Sequence, residues 1–162
     1  MVQHDDIDIA GTPASLELTR TTAEAFAVAL DGGDLATVNQ LLAPDCDYVE
    51  GGVRVHPASA VMNLLRAAAS WAERGFDDVR PATTIVAVTA GSARLSVIIM
   101  WMRVPGRWHR LQLERVLRLR ADGRIATLAQ RCDPAAGRAF AAFARDSGAP
   151  PVPRGIGIPA ED

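Results

Sequence analysis

Hydrophobic positions recur at helical spacing in the first half of the chain. A helix is predicted to begin at Thr12-Pro13, with Thr12 as N-cap, and to end at Gly32-Gly33. Its apolar stripe consists of Leu16, Ala23, Phe26, Ala27 and Leu30. Asp34 caps a second, short helix, residues 45–52 form a short strand closed by glycines, and a third helix runs from Pro57 to Arg74-Gly75.

In the second half of the chain the hydrophobic period changes from helical to strand-like. Four strands are predicted in this half. In chain order they cover residues 79–90, residues 93–104, a third segment from residue 109 to the Asp122-Gly123 turn, and residues 124–133. The third segment also fits a helical stripe, but its turns and strict alternation favour a strand. A short helix follows Asp133-Pro134. This order predicts an α+β fold, in which a curved antiparallel sheet of four long strands plus a short strand wraps around three N-terminal helices.

The same pattern divides the chain into three parts. Residues 1–12 are expected to form a flexible arm, residues 13–147 one domain, and residues 148–162 a proline- and glycine-rich tail that is flexible or clamps the domain. A chain of 162 residues suits a single core.

Composition and charge narrow the function classes. A formal net charge of -2 argues against nucleic acid or an anionic membrane as a partner. No apolar run reaches the roughly 20 residues that span a bilayer, and the acidic N-terminus does not resemble a signal peptide, so a cytoplasmic location is expected. Cys46 and Cys132 are read as reduced thiols, and the three histidines lack metal-ligand spacing. We therefore expect no metal and no organic cofactor.

One residue breaks the apolar face of the third long strand. Arg115 shares its parity with four leucines: Leu111, Leu113, Leu117 and Leu119. A buried guanidinium needs an anion, a ligand or water. It therefore pairs with another interior group such as Glu50, or binds an anionic or carbonyl-bearing ligand, or else extends to water at the sheet edge.

Two segments carry a family resemblance. Residues 25–52 (AFAVALDGGDLATVNQLLAPDCDYVEGG) and 120–135 (RADGRIATLAQRCDPA) resemble the NTF2-like superfamily, above all its ketosteroid isomerase and SnoaL-like polyketide cyclase branches. The likeness extends over residues 16–143. It implies a cone-shaped fold with an apolar small-molecule pocket, and a homodimer formed through the outer sheet face. A solvated outer face with charges paired across strands is the alternative.

The resemblance also assigns positions. Glu50 matches the general base of the isomerase branch. Phe26 stands where that branch has a tyrosine donor, and Arg115 where it has an aspartic acid donor. Gln130 stands where the cyclase and epoxide hydrolase branches have an aspartate. These departures argue against steroid isomerisation or epoxide hydrolysis by the usual arrangement.

The resemblance and the strand pattern together imply a pocket with one base and two polar groups, whereas a solvated strand end is the alternative for Glu50. Tyr48 and Glu50 lie on one face of the short strand, and a carboxylate on an apolar wall suits proton abstraction next to a carbonyl. Arg115 and Gln130 would polarise or orient the oxygen. The remaining candidate ligand-binding residues are Tyr48, Phe26, Trp71, Met100 and His109. The expected partner is an apolar or carbonyl-bearing small molecule, acted on by a cyclase or isomerase, or bound without catalysis; a dimeric interaction module is the further alternative.

Overall fold

The computed structural model describes residues 12–153 and residue 156. Four helices and six strands follow one another along this part of the chain. They are α1 (Leu16–Asp31), α2 (Leu35–Leu41), β1 (Leu42–Glu50), β2 (Val53–Val55), α3 (Ala58–Gly75), β3 (Asp78–Thr89), β4 (Ser92–Met102), β5 (Trp108–Leu119), β6 (Ile125–Arg131) and α4 (Pro134–Asp146).

The helices begin at residues whose side chains satisfy backbone N–H groups. Ser15 accepts a hydrogen bond from Leu18 N, Asp34 from Thr37 N, and Asp133 from Ala136 N. The predicted cap at Asp34 is confirmed. The predicted start of α1 is wrong, because Ser15 rather than Thr12 is the N-cap and Pro13 forms an isolated bridge with Arg120.

The six strands form one curved, open sheet in the order β2-β1-β6-β5-β4-β3. The four long strands are confirmed and pair antiparallel in sequence order. The sheet is mixed rather than wholly antiparallel, since β1 pairs parallel to β6. Strand β1 is also longer than predicted, and β2 pairs with it across Gly51-Gly52, whose φ angles are positive. The long chain separation between β1 and β6 explains why local patterns did not reveal their pairing.

One face of the sheet carries the core. In β5 the four leucines and Arg115 point inward and are buried, while Arg110, Gln112 and Arg118 are exposed on the outer face. Helices α1 and α3 pack on the inner face with the first hydrophobic cluster, which includes Phe26, Tyr48, Met62 and Leu117. A second cluster joins the end of α3 to α4 and is rich in aromatic rings: Trp71, Phe76, Trp101 and Phe140.

The described part of the C-terminal tail packs on this aromatic cluster. Trp71 Nε1 donates a hydrogen bond to Pro150 O at 3.1 Å, Ala149 and Val152 pack against the cluster, and Ile156 is buried in it. These described tail residues therefore form part of the aromatic cluster. The predicted N-terminal arm lies outside the described residues except for Thr12.

No helix in the described part of the chain is both long enough and apolar enough to cross a membrane.

Candidate functional site

Three of the predicted site residues form a row across adjacent strands. Glu50 of β1 lies opposite Gln130 of β6, and Gln130 lies opposite Arg115 of β5. All three are buried, with exposed fractions of 5%, 1% and 8%. We call Glu50, Gln130 and Arg115 the polar row. All three side chains therefore lie inside the fold, while their roles in binding or catalysis stay predictions.

The Arg115 guanidinium is tied to the row by a short hydrogen bond. Its Nε donates to Gln130 Oε1 at 2.6 Å, and this is the hydrogen bond it makes within residues 12–153 and 156. Burial lowers the pKa of Arg115 to about 10, against the opposing influence of Tyr48 and Asp31. The side chain therefore remains charged at neutral pH, and its terminal Nη groups are available to a ligand.

Tyr48 lies next to the row on β1. Burial, followed by the negative charge of Glu50, raises the pKa of the Tyr48 phenol, while Arg115 opposes this. The phenol is therefore neutral at physiological pH and keeps its proton. Tyr48 accordingly brings a neutral donor group close to the Glu50 carboxylate.

A cavity of about 150 Å³ lies between the helices and the sheet, and Arg115 forms part of its wall. Its remaining lining is largely aliphatic and comes from α1, α2, α3, β3, β4 and the tail: Leu30, Leu35, Leu65, Ala68, Ala69, Ala72, Val79, Pro81, Ile99 and Ile156. At roughly 10–15 Å³ per water-sized group, this volume holds about ten non-hydrogen atoms. The cavity therefore suits a compact apolar molecule that places an oxygen against Arg115.

One polar residue of the cavity, Asp31, was missed by sequence reasoning. Asp31, the last residue of α1, lines the cavity and accepts hydrogen bonds from Thr83 N at 2.9 Å and Thr83 Oγ1 at 2.8 Å. Trp101 also lines the cavity. A carboxylate in front of Gly32-Gly33 reads in sequence as an ordinary helix end, so no local signal distinguishes Asp31.

Glu50 is not among the described residues that line this cavity. Its connection to the cavity runs through the polar row, because Gln130 stands between it and Arg115. The structure thus brings together four predicted site residues: Arg115, Gln130, Tyr48 and Glu50. Of these four, Arg115 is the one that lines the cavity.

Four predicted ligand-binding residues lie elsewhere. Phe26 and Trp71 belong to the two core clusters. Met100 alternates with buried Ile99 and Trp101 in β4 and so points to the outer face, which corrects its assignment to the pocket wall. His109 stacks on Phe143 of α4, with ring centroids 4.9 Å apart, and burial lowers its pKa. In each case helix packing or strand parity, rather than a ligand, accounts for the side chain.

Within the described residues no group of three or more histidine, cysteine, aspartate or glutamate side chains is placed to hold a metal ion. Cys46 and Cys132 are both free thiols.

Comparison with known proteins gives structural relatives only. No protein-family model matches the chain, and no curated protein matches it. Among solved structures, a candidate ketosteroid isomerase from Kribbella flavida DSM 17836 has 21% sequence identity and a TM-score of 0.59, covering 73% of this chain and 79% of that chain. An NTF2-like protein of unknown function from Burkholderia pseudomallei K96243 has 20% identity and a TM-score of 0.59, covering 72% and 91%.

The chain has the NTF2-like fold. A further structure with this architecture is an LEH-like epoxide hydrolase from M. tuberculosis, with 21% identity, a TM-score of 0.54, and coverage of 73% of this chain and 84% of that chain. The expected NTF2-like architecture is therefore confirmed, while identities near one fifth leave activity to be argued from the site itself.

Proposed function

We propose that this NTF2-like protein binds a compact small molecule whose apolar body lies against the aliphatic wall and whose carboxylate or carbonyl oxygen contacts Arg115. The observation that carries the proposal is a buried, charged guanidinium that lines a cavity while, among the described residues, only its Nε forms a hydrogen bond, to Gln130. Charge-assisted hydrogen bonds to a planar guanidinium are strong and directional, and they favour a carboxylate.

Binding is tested by ligand-detected NMR with hexanoate, cyclohexanecarboxylate and hexanol. We expect the two carboxylates to bind and hexanol to bind more weakly. Arg115→Met should weaken carboxylate binding by about tenfold to a hundredfold, as the loss of a hydrogen bond to a charged group implies. Arg118→Met is the matched control, because Arg118 lies on the same strand but is exposed on the outer face. Carboxylate binding that is equal in wild type and Arg115→Met contradicts the proposal.

A second candidate function is proton transfer next to a carbonyl, with Glu50 as the base. It is favoured by the burial of Glu50 in the polar row, and the candidate ketosteroid isomerase among the structural neighbours supports chemistry of this class. The resemblance implies two hydrogen-bond donors and an aspartate, and this chain has Phe26, Arg115 and Gln130 at those three positions. Because Arg115 is the donor that remains at the first two of them, it would polarise the oxygen.

This second function is tested without knowledge of the natural substrate. We expect the wild type to accelerate deuterium incorporation next to the ketone of 4-oxopentanoate in D₂O. Glu50→Gln should abolish the acceleration while hexanoate binding remains. Equal exchange rates for wild type and Glu50→Gln would rule out Glu50 as the base and leave the binding function intact.

We also propose a homodimer formed through the outer sheet face. Trp108 and Val86 are exposed there, with exposed fractions of 38% and 52%, although the pairing of Arg131 with Glu114 at 2.8 Å also fits a solvated face. Sedimentation velocity should give a dimer that Trp108→Glu dissociates, whereas a monomeric wild type contradicts the proposal.

A further inference from the structure

The cavity contains an anionic group as well as the Arg115 guanidinium. Among its described lining residues, the charged ones are Asp31 and Arg115. Asp31 is partly exposed, and its carboxylate accepts hydrogen bonds from Thr83 N and Thr83 Oγ1. None of the ion pairs within residues 12–153 and 156 joins Asp31 to Arg115. The cavity wall therefore presents one positive and one negative group that do not pair with each other.

Asp31 lies where its own helix disfavours a negative charge. It is the last residue of α1, and the last turn of this helix contains no basic residue. The C-terminal end of a helix dipole is negative, so a cation is favoured there and an anion is not. The hydrogen bonds from Thr83 occupy one position on each carboxylate oxygen, and each oxygen has a second lone pair. The carboxylate can therefore still accept a hydrogen bond from a bound cation.

The negative charge of Asp31 also acts on the opposite wall of the cavity. Burial lowers the pKa of Arg115 to about 10, and the charge of Asp31 opposes this shift. A ligand with a carboxylate alone meets the repulsion of Asp31 as well as the attraction of Arg115, and it leaves an uncompensated negative charge in the cavity. A ligand with both an ammonium and a carboxylate gives each charged wall group an opposite charge.

The two charged groups lie toward opposite sides of the cavity. Gln130 holds the guanidinium on the β6 side of β5, whereas Thr83 holds Asp31 over β3. Strand β4 separates β5 from β3, which places the backbones of these two strands about 10 Å apart at about 4.8 Å per strand spacing. A molecule that contacts both groups therefore needs its ammonium several carbon atoms away from its carboxylate.

We propose that the cavity binds an ω-amino carboxylate, with the carboxylate on Arg115 and the ammonium on Asp31. The inference rests on the proposed binding function and narrows its ligand class to zwitterions. The methylene chain lies on the aliphatic wall, to which Leu65 and Ile99 belong. Amino acids of this kind with four to six carbon atoms fit the room for about ten non-hydrogen atoms in the cavity.

The test compares amino acids with parent acids of equal size by titration calorimetry: 4-aminobutanoate with pentanoate, 5-aminopentanoate with hexanoate, and 6-aminohexanoate with heptanoate. The wild type should bind at least one amino acid about tenfold more tightly than its parent, the gain expected from one hydrogen bond between charged groups. Asp31→Asn should lose this preference. It should also bind the parent acids about threefold more tightly than the wild type does, because a like charge has been removed.

These opposite effects separate the charge of Asp31 from its structural contact with Thr83. Loosening of the contact between α1 and β3 would weaken both kinds of ligand, whereas loss of the charge weakens the amino acids and strengthens the parent acids. Glu17→Gln is the matched control, because it removes an exposed carboxylate from the first turn of the same helix. This variant should leave both affinities unchanged.

The outcomes distinguish the two proposals. If the parent acids bind in an Arg115-dependent way but the wild type prefers no amino acid, or Asp31→Asn retains the preference, the role of Asp31 is refuted and the binding function stands. If only the amino acids bind, and both Arg115→Met and Asp31→Asn weaken them, both proposals are supported. If no acid of either kind binds to the wild type, the binding function fails and the ligand class fails with it.

A measurement on the wild type covers the case in which Asp31→Asn does not fold. In NOE spectra of the complex with the tightest-binding amino acid, the CH₂ group next to the nitrogen should contact the methyl group of Thr83, whose hydroxyl donates to Asp31. If that contact is absent, or the CH₂ group next to the carboxylate makes it instead, the inference is overturned.

Discussion

The hydrogen bond between Arg115 and Gln130 joins two buried side chains, and its removal gives a quantitative test of how the polar row is held together. The bond is 2.6 Å long, and the two residues are 8% and 1% exposed. Gln130→Leu removes the acceptor at nearly constant volume and leaves the charged Arg115 Nε without it. Arg115→Met removes the donor and the charge together.

The expected magnitude follows from this burial. A hydrogen bond to a charged group contributes about 1.5–3 kcal/mol, and a buried partner that loses it is left with its desolvation cost. Gln130→Leu should therefore lower the free energy of unfolding by about 3 kcal/mol. At about 2–4 °C per kcal/mol for a chain of this size, Tm should fall by about 6–12 °C.

The assay is a double-mutant cycle of unfolding free energies measured in urea. Gln130 and Arg115 each also contact other residues, and the cycle cancels the free-energy cost of losing those contacts. The double variant should be less destabilised than the sum of the single variants, with a coupling free energy of about 1.5–3 kcal/mol. Gln112→Leu with Arg118→Met on the exposed face is the control pair and should be additive within about 0.5 kcal/mol. Additive effects at Gln130 and Arg115 would refute the argument that they satisfy each other.

Three further predictions concern His109, Cys46 and Arg103. Burial lowers the pKa of His109, so the unfolded chain takes up a proton more readily than the folded protein does. The contribution of His109 to the unfolding free energy is therefore present above the ordinary histidine pKa of 6.5 and is lost as pH falls below it. His109→Gln should flatten the decline in unfolding free energy between pH 7 and pH 5. An unchanged slope would contradict this. Burial raises the pKa of Cys46 to about 12, so a thiol reagent at pH 8 should modify Cys46 only after unfolding. Peptide mapping identifies the labelled cysteine, and rapid labelling of Cys46 in the native protein would contradict its burial. Arg103 donates from Nε to Ser147 O and from Nη1 to Gly75 O, which links the ends of α4 and α3. Arg103→Met should therefore lower Tm by about 4–8 °C, for a loss of about 2 kcal/mol, whereas Arg107→Met on the exposed turn should leave Tm unchanged. Equal Tm values for the wild type and Arg103→Met would argue against this link.

Much of the architecture was accessible from local patterns. The cap at Asp34, the glycine turns and the four long alternating segments each depend on residues within a few positions of one another. The start of α1 was not predicted correctly, because Thr12-Pro13 has the residue types of a helix start while Pro13 is in fact bridged to Arg120, more than a hundred residues away. The parallel pairing of β1 with β6 was missed for the same reason, since no local signal records a pairing between distant segments.

The candidate site shows the same division. Parity along β5 places Arg115 inside with the leucines, and parity along β1 places Tyr48 and Glu50 on one face. Parity also places Met100 opposite to Trp101, a consequence that the assignment of Met100 to the pocket overlooked.

By itself the sequence determined that a cation shares the apolar face of one strand with four leucines, because side chains alternate along a strand whatever the rest of the chain does. Only the tertiary structure decided what that cation meets. The register of β5 against β6 sets Gln130 beside it, and the end of α1 brings Asp31 to the same cavity. The tail supplies the acceptor for the Trp71 indole at Pro150. These relations join segments far apart in the chain, and they are fixed by packing rather than by local preference.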